Sequence, residues 1–259
     1  MKQILISAGD ALTAKLVEQA GFDGIWISGF EASARLGLAD NGSITMSEML
    51  NIAKPIVDAV KIPVYVDVDT GYGNFQRTVT EFEKIGVEGV CVQDDIEGQK
   101  TNSLWGGKTE LMPKEEFALK IDVNKKSIKV IARTEALIRG YGMEEAKERL
   151  LMYADYGADI VLPHTRDAKL IMKDMLHMVG QDGISVKPMA IVPTKFPEYT
   201  NQQLFDMGYS MIIYANQTER VKIKAVREAL KILKEEGYML PIEKTLSASL
   251  DDMKGLTPC

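Results

Sequence analysis

Ala20-Gly21-Phe22-Asp23-Gly24-Ile25-Trp26-Ile27-Ser28 reads as the end of a helix, a capping glycine, one apolar and one acidic residue, and then an apolar strand. The phrase recurs as Ile85-Gly86-Val87-Glu88 before residues 89–93 and as Tyr156-Gly157-Ala158-Asp159 before 160–163. Met207-Gly208-Tyr209-Ser210 before 211–214 has the same form. Working outward from these four, short β-branched runs are expected as strands at 4–7, 24–28, 64–68, 89–93, 129–133, 160–163, 189–192 and 211–214. Helical patterns alternate with them at 11–20, 46–60, 76–85, 114–124, 143–156, 168–179, 201–206 and 218–236. Strand–helix alternation argues a parallel sheet, and eight units argue an α/β fold of the (β/α)₈ TIM-type barrel kind. An open doubly wound sheet would require two of these strands to be wrong. The 259 residues match one such barrel, so 1–259 is expected to be a single domain without a linker.

The longest stretch without periodicity runs over 94–113 and includes Gly98, Gly106 and Gly107. It follows the fourth strand, at the end of the barrel where active sites lie, and reads as a mobile lid; the plain alternative is a variable surface loop. The formal net charge of −6 disfavours nucleic acid as a partner. No apolar run approaches the roughly 20 residues of a membrane span, and the N-terminus lacks a signal-peptide core. The two cysteines, Cys91 within an apolar strand and Cys259, do not suggest a disulfide framework, so a cytoplasmic setting is expected.

Chemistry concentrates where strands end. Asp67-Val68-Asp69-Thr70-Gly71-Tyr72-Gly73-Asn74 closes the third strand. Two acids at i and i+2 share a strand face and repel unless a cation or proton lies between them. Oxygen ligands at a strand end suit Mg²⁺, with Mn²⁺ as an alternative. A helix-capping acid would explain Asp69 but not Asp67. Ile131-Ala132-Arg133-Thr134-Glu135 delivers an arginine able to clamp a carboxylate or phosphate, or else to form a structural ion pair across the mouth. Ser28-Gly29 permits backbone N–H groups to approach an anion closely. Of the two histidines, His164 ends the sixth strand and is the site candidate, whereas His177 lies in a helical pattern. A small anionic substrate is the expected partner.

On these phrases the chain resembles the phosphoenolpyruvate phosphomutase / isocitrate lyase superfamily along nearly its whole length. Gly24-Ile25-Trp26-Ile27-Ser28-Gly29-Phe30, Asp67 to Asn74, Ile131 to Ala136, Val192-Pro193-Thr194-Lys195 and Lys100-Thr101-Asn102-Ser103 carry the likeness. The last resembles the mutase branch; the hydrolase branch has Thr where Asn102 stands. The resemblance implies that Asp67 contacts Mg²⁺, that Asp69 holds its waters, and that Gln93 lies in the outer shell. It implies that Ser28, Gly29 and Phe30 bind the substrate carboxylate beside Trp26. Arg133, Asn102 and His164 would hold the phosphoryl or phosphonyl group, with Ser103 also binding substrate, Asp40 beside the reacting carbon and Lys100 as the lid's cation. It further implies a homodimer or homotetramer with the last barrel helix exchanged, and isomerisation of phosphoenolpyruvate to 3-phosphonopyruvate.

One departure stands out. The mutases carry Glu-Asp-Lys after the fourth strand, where this chain has Gln93-Asp94-Asp95 and a lid one residue longer. Gln keeps hydrogen bonding to a metal-bound water but removes one negative charge. That leaves phosphonopyruvate hydrolysis open, and also decarboxylation or C–C cleavage of an oxaloacetate-like acid. No cysteine lies between Asp94 and Pro113, which disfavours the usual lyase mechanism. A degenerate barrel that only binds a small carboxylate is the non-enzyme alternative.

Overall fold

The structure, a computed structural model, describes residues 2–103, 109–166 and 187–257. The chain runs β1 (Gln3–Ser7), α1 (Ala11–Gln19), β2 (Gly24–Ile27), α2 (Gly29–Arg35), α3 (Met46–Ala59), β3 (Val64–Asp67) and α4 (Phe75–Lys84). It continues with β4 (Gly89–Gln93), α5 (Lys114–Ile121), β5 (Lys129–Thr134), α6 (Ala136–Arg139), α7 (Met143–Tyr156) and β6 (Ile160–Pro163). Then come β7 (Ala190–Ile191), a 3-10 turn at Pro193–Lys195, α8 (Asn201–Asp206), β8 (Met211–Tyr214), α9 (Gln217–Glu236), α10 (Leu240–Thr245) and α11 (Leu250–Leu256). The helix expected at 168–179, with His177, lies outside the described residues, as do Gly106, Gly107 and Cys259.

All eight expected strands are present and pair in parallel in the order β6-β5-β4-β3-β2-β1-β8-β7. A single parallel bridge, Val161 to Met189, joins the two ends and brings the sheet round to a nearly closed TIM-type barrel. Strand pleating sorts the side chains into two cores. Leu5, Trp26, Tyr65, Cys91, Ile131, Leu162, Ala190 and Ile213 fill the barrel interior. Their strand neighbours Ile25, Val66, Val90, Val130, Val161 and Ile212 face outward into the larger layer beneath the helices. The cap glycines behave as the repeated phrase requires: Gly21 and Gly86 take φ of +79° and +88°, a region that excludes most side chains.

Three local readings need correction. The second and third strands stop one residue short of the expected ends, at Ile27 and Asp67, and the seventh is reduced to two residues. Ser28 leaves the sheet because its hydroxyl caps α2, accepting from Glu31 N at 3.5 Å. Asp69 is not on the strand face. It sits in the following turn at φ +50°, so a left-handed backbone and not the pleat brings it beside Asp67; the cap of α4 is Asn74. Four short helices, α2, α6, α10 and α11, escaped the periodicity because seven residues or fewer barely complete two turns.

Candidate active site

The interior ladder explains how polar groups collect at the mouth. Two residues beyond an interior apolar side chain, the strand turns the same way again. So Trp26 is followed by Ser28, Tyr65 by Asp67, Cys91 by Gln93, Ile131 by Arg133 and Leu162 by His164. All five polar residues end up at the carboxyl rim, buried. A cavity there is lined by Trp26, Ser28, Asp67, Arg133 and His164 from the strand ends and by Phe30 from α2. Asp40, from the loop after α2, and Lys100, Asn102 and Ser103, from the segment after β4, close its roof. Gly29 backs the wall without lining it: a Cβ there would meet Asp69 Oδ1 at 2.7 Å, so only glycine lets α2 start this close to the acids.

Asp40 is the keystone of the roof. One carboxylate oxygen takes Lys100 Nζ and the other takes Asn102 Nδ2. Lys100 Nζ also lies 2.7 Å from Asp69 Oδ1. Burial works against the Lys100 charge, but Asp69, Asp40 and Asp67 outweigh it and raise its pKa. The segment carrying Lys100 leaves and returns through antiparallel pairing, with Asp95 opposite Leu111 and Met112 N donating to Asp94 O at 2.8 Å.

Glu135 organises the floor. It accepts from Arg133 Nε, from Ser103 Oγ at 2.7 Å and from His164 Nδ1 at 2.7 Å. Burial disfavours its charge, yet Arg133 and His164 hold its carboxyl well below the usual carboxylate range. An ionised Glu135 only accepts, so Nδ1 of His164 carries the proton and Nε2 is left for the cavity. Arg133 spends two more donors, on Asp67 Oδ2 at 3.2 Å and Ser103 Oγ at 3.0 Å, leaving two of its five.

The oxygen groups fit a hard divalent cation. Asp69 is 2% exposed; burial raises its pKa, and Asp67 beside it adds to that. Neither Asp69 Oδ2 nor Gln93 Oε1 accepts a hydrogen bond among the described residues, although both atoms are buried. Among those residues no three His, Cys, Asp or Glu side chains converge as a ready cage. Two carboxylates and a carbonyl oxygen suit Mg²⁺, which keeps several of its waters.

Sequence reasoning singled out every residue of the roof and floor except the hub. Glu135 was legible as an acid leaving a strand beside Arg133, but its three partners were not. Thr194 and Asn216, which line the far wall after β7 and β8, were missed. Their place just past a barrel strand was the available signal.

The family model described as phosphoenolpyruvate phosphomutase matches residues 2–234. The phosphoenolpyruvate phosphomutase of Tetrahymena pyriformis is 33% identical over 247 residues, covering 92% of this chain and 81% of that protein. The crystal structure of a phosphoenolpyruvate phosphomutase from Streptomyces platensis subsp. rosaceus superposes with a TM-score of 0.92 at 34% identity, covering 99% of this chain and 90% of that one. A phosphonopyruvate hydrolase solved with oxalate and Mg²⁺ superposes with a TM-score of 0.87 at 32% identity, covering 98% and 89%.

Proposed function

The chain belongs to the phosphoenolpyruvate phosphomutase family, and from that premise we propose that it is an enzyme interconverting phosphoenolpyruvate and 3-phosphonopyruvate. In this reaction the P–O bond to the enol oxygen breaks and a P–C bond to carbon 3 forms, without net addition of water. The site must therefore hold a phosphoryl group over a pyruvate enolate and keep water out. The observation that carries the reading is the roof: Lys100 and Asn102 both close onto Asp40, over the remaining donors of Arg133 and the Nε2 of His164.

Arg133, His164 and Asn102 would bind the phosphoryl oxygens, with Ser103 fixing the Arg133 guanidinium. Ser28, Gly29 and Phe30 would receive the carboxylate at the first turn of α2, under the Trp26 ring. Asp40 lines the cavity and would position the migrating group. Mg²⁺ or Mn²⁺ at Asp67 and Asp69, with Gln93 beyond its waters, would supply electrostatic stabilisation of negative charge on the enolate oxygen. The segment over 94–113 would act as the lid.

The test is ³¹P NMR with phosphonopyruvate as substrate. Phosphoenolpyruvate should appear, Asn102→Ala should abolish its formation, and excess chelator should do the same. Free phosphate with pyruvate would establish the second reading, a hydrolase. That reading is supported by the likeness to the hydrolase structure and by Gln93 and Asp95, and it differs only in letting water reach the phosphoryl group. An unchanged spectrum would sink both.

The expected homodimer or homotetramer rests on α9. None of its twenty residues is buried, and Ile223, Val226, Leu230 and Leu233 form an exposed apolar stripe. Light scattering on the purified chain would decide it. No helix among the described residues is long and apolar enough to cross a membrane.

A further inference from the structure

The two residues that depart from the mutase pattern, Gln93 and Asp95, touch one another. Gln93 Nε2 donates to Asp95 Oδ2 at 2.5 Å. Asp95 is in turn gripped by Arg139 at the end of α6, with Nε on Oδ1 at 2.9 Å and Nη2 on Oδ2 at 2.7 Å. Both side chains of this pair are fully buried. Arg139 reaches further, donating from Nη1 to Thr101 Oγ1 at 2.8 Å and from Nη2 to the Thr101 carbonyl at 3.1 Å. Thr101 lies between Lys100 and Asn102, the two residues that close onto Asp40.

We propose that Asp95 and Arg139 form a positioning pair that fixes the orientation of the Gln93 amide and the placement of Lys100 and Asn102 together. An amide side chain can present either its NH₂ or its carbonyl to a neighbour. A carboxylate clamped by an arginine only accepts, so the NH₂ of Gln93 faces Asp95 and Oε1 is turned the other way. That oxygen is buried and accepts no hydrogen bond among the described residues. Turned inward, it can take a hydrogen bond from a water held by the cation of Asp67 and Asp69; an NH₂ there would repel that water's protons. The bidentate grip of Arg139 gives Asp95 a single geometry and neutralises it. The negative charge that the Glu-to-Gln exchange withdraws from the metal is thus not restored by Asp95. What Asp95 supplies is direction.

This rests on the metal reading above, and its test uses no substrate. Mn²⁺ affinity is measured by electron paramagnetic resonance for the full chain and for Asp95→Asn, Gln93→Met and the double variant. Asp95→Asn lets the amide turn, and the Mn²⁺ dissociation constant should rise about tenfold, the lower end for loss of an outer-shell partner. In the Gln93→Met background the same change should add nothing, because no amide remains to orient. Equal effects in both backgrounds would reduce Asp95 to a distant charge and overturn the proposal; so would an unchanged affinity in Asp95→Asn. A wild-type chain that binds no Mn²⁺ would remove the metal reading itself and this proposal with it.

The other arm needs no metal. Arg139→Lys keeps the charge but not the fork that holds Thr101. Trypsin cleavage after Lys100, followed by peptide mapping, should accelerate at least tenfold over wild type. Thr101→Val, which leaves the Asp95 pair intact, should move in the same direction by less. Cleavage at the wild-type rate in both would show that Arg139 does not hold this segment.

Discussion

The two sides of the barrel mouth handle buried charge differently. On the β4–β6 side each fully buried acid has an arginine: Glu135 has Arg133, Asp95 has Arg139 and Asp94 has Arg149, with Arg133 and Arg149 also reaching Asp67 and Glu145. Asp94 alone accepts from Thr134, Tyr153 and Arg149 side chains and from the Glu135 amide. On the β8–β1–β2 side three acids share two cations. Arg35 and Lys222 both go to Asp10, at 2.6 and 2.8 Å, and Arg35 reaches Glu219 at 2.8 Å. Glu31 is left 1% exposed, with neither oxygen accepting a hydrogen bond among the described residues. The Ser7 hydroxyl near it is engaged with Thr218 Oγ1 at 2.8 Å. Burial pushes the Glu31 carboxyl up to about 7, with Ser7 opposing and Glu219 reinforcing. The difference teaches that burial alone does not make a charge rigid; a matched, forked partner does.

The hardest blow to this contrast is Glu135→Gln. It removes the charge that Arg133 and His164 share and leaves a buried guanidinium short of a counter-ion. Stability should fall by about 3–5 kcal/mol, the usual result of breaking a buried pair, and turnover should drop by about 10–100-fold, as for loss of a supporting partner. Urea denaturation and steady-state kinetics read the two. A loss below about 1 kcal/mol would mean that the matched side is no more tightly held than an exposed ion pair.

Glu31→Gln should act in the opposite direction. Folding raises this carboxyl from 4.5 to about 7, so the folded chain binds more protons than the unfolded one across that window. The Glu31 contribution to stability therefore declines as pH rises from 4.5 to 7 and levels off above it. The variant has no such proton, so it should match wild type near pH 4.5 and exceed it at pH 8 by up to about 3 kcal/mol. A gap that does not grow over that interval would show that Glu31 has a partner after all.

The finest probe is Tyr153→Phe. It deletes one donor to Asp94, at 2.8 Å, while Thr134, Arg149 and the Glu135 amide remain. About 2 kcal/mol should be lost, as for a hydrogen bond to a charged group. A neutral result would show the Asp94 network to be redundant.

Much of the barrel was legible because its signals are local. The capping glycines and β-branched runs located eight strands, and the two-residue pleat raised Ser28, Asp67, Gln93, Arg133 and His164 to one rim. Lys100, Asn102 and Asp40 came only from the family likeness, since nothing in their spacing says that two loops sixty residues apart close onto each other. Pairings between distant elements stayed hidden for the same reason. Asp95 read as a missing lysine until Arg139 appeared beside it, and Arg149, 4% exposed, drew no notice inside its helical pattern. Tertiary contacts decide which ions are matched, and periodicity is blind to them.

The turn after β3 holds Asp69 at φ +50°, Gly71 at +94°, Tyr72 at +54° and Gly73 at +80°. Two of these four are glycine, for which such angles carry no steric penalty, and two are not. At position 69 the side chain is also buried, with Lys100 Nζ its ion-pair partner at 2.7 Å. Glycine would relieve the backbone but leave the buried Lys100 with one carboxylate fewer. Asp69→Gly should therefore fold less firmly in urea, the relaxed turn offsetting only part of the lost ion pair, and on the proposed function it should not turn over substrate. The aspartate thus works as a latch, its left-handed turn held against the roof by the Lys100 ion pair.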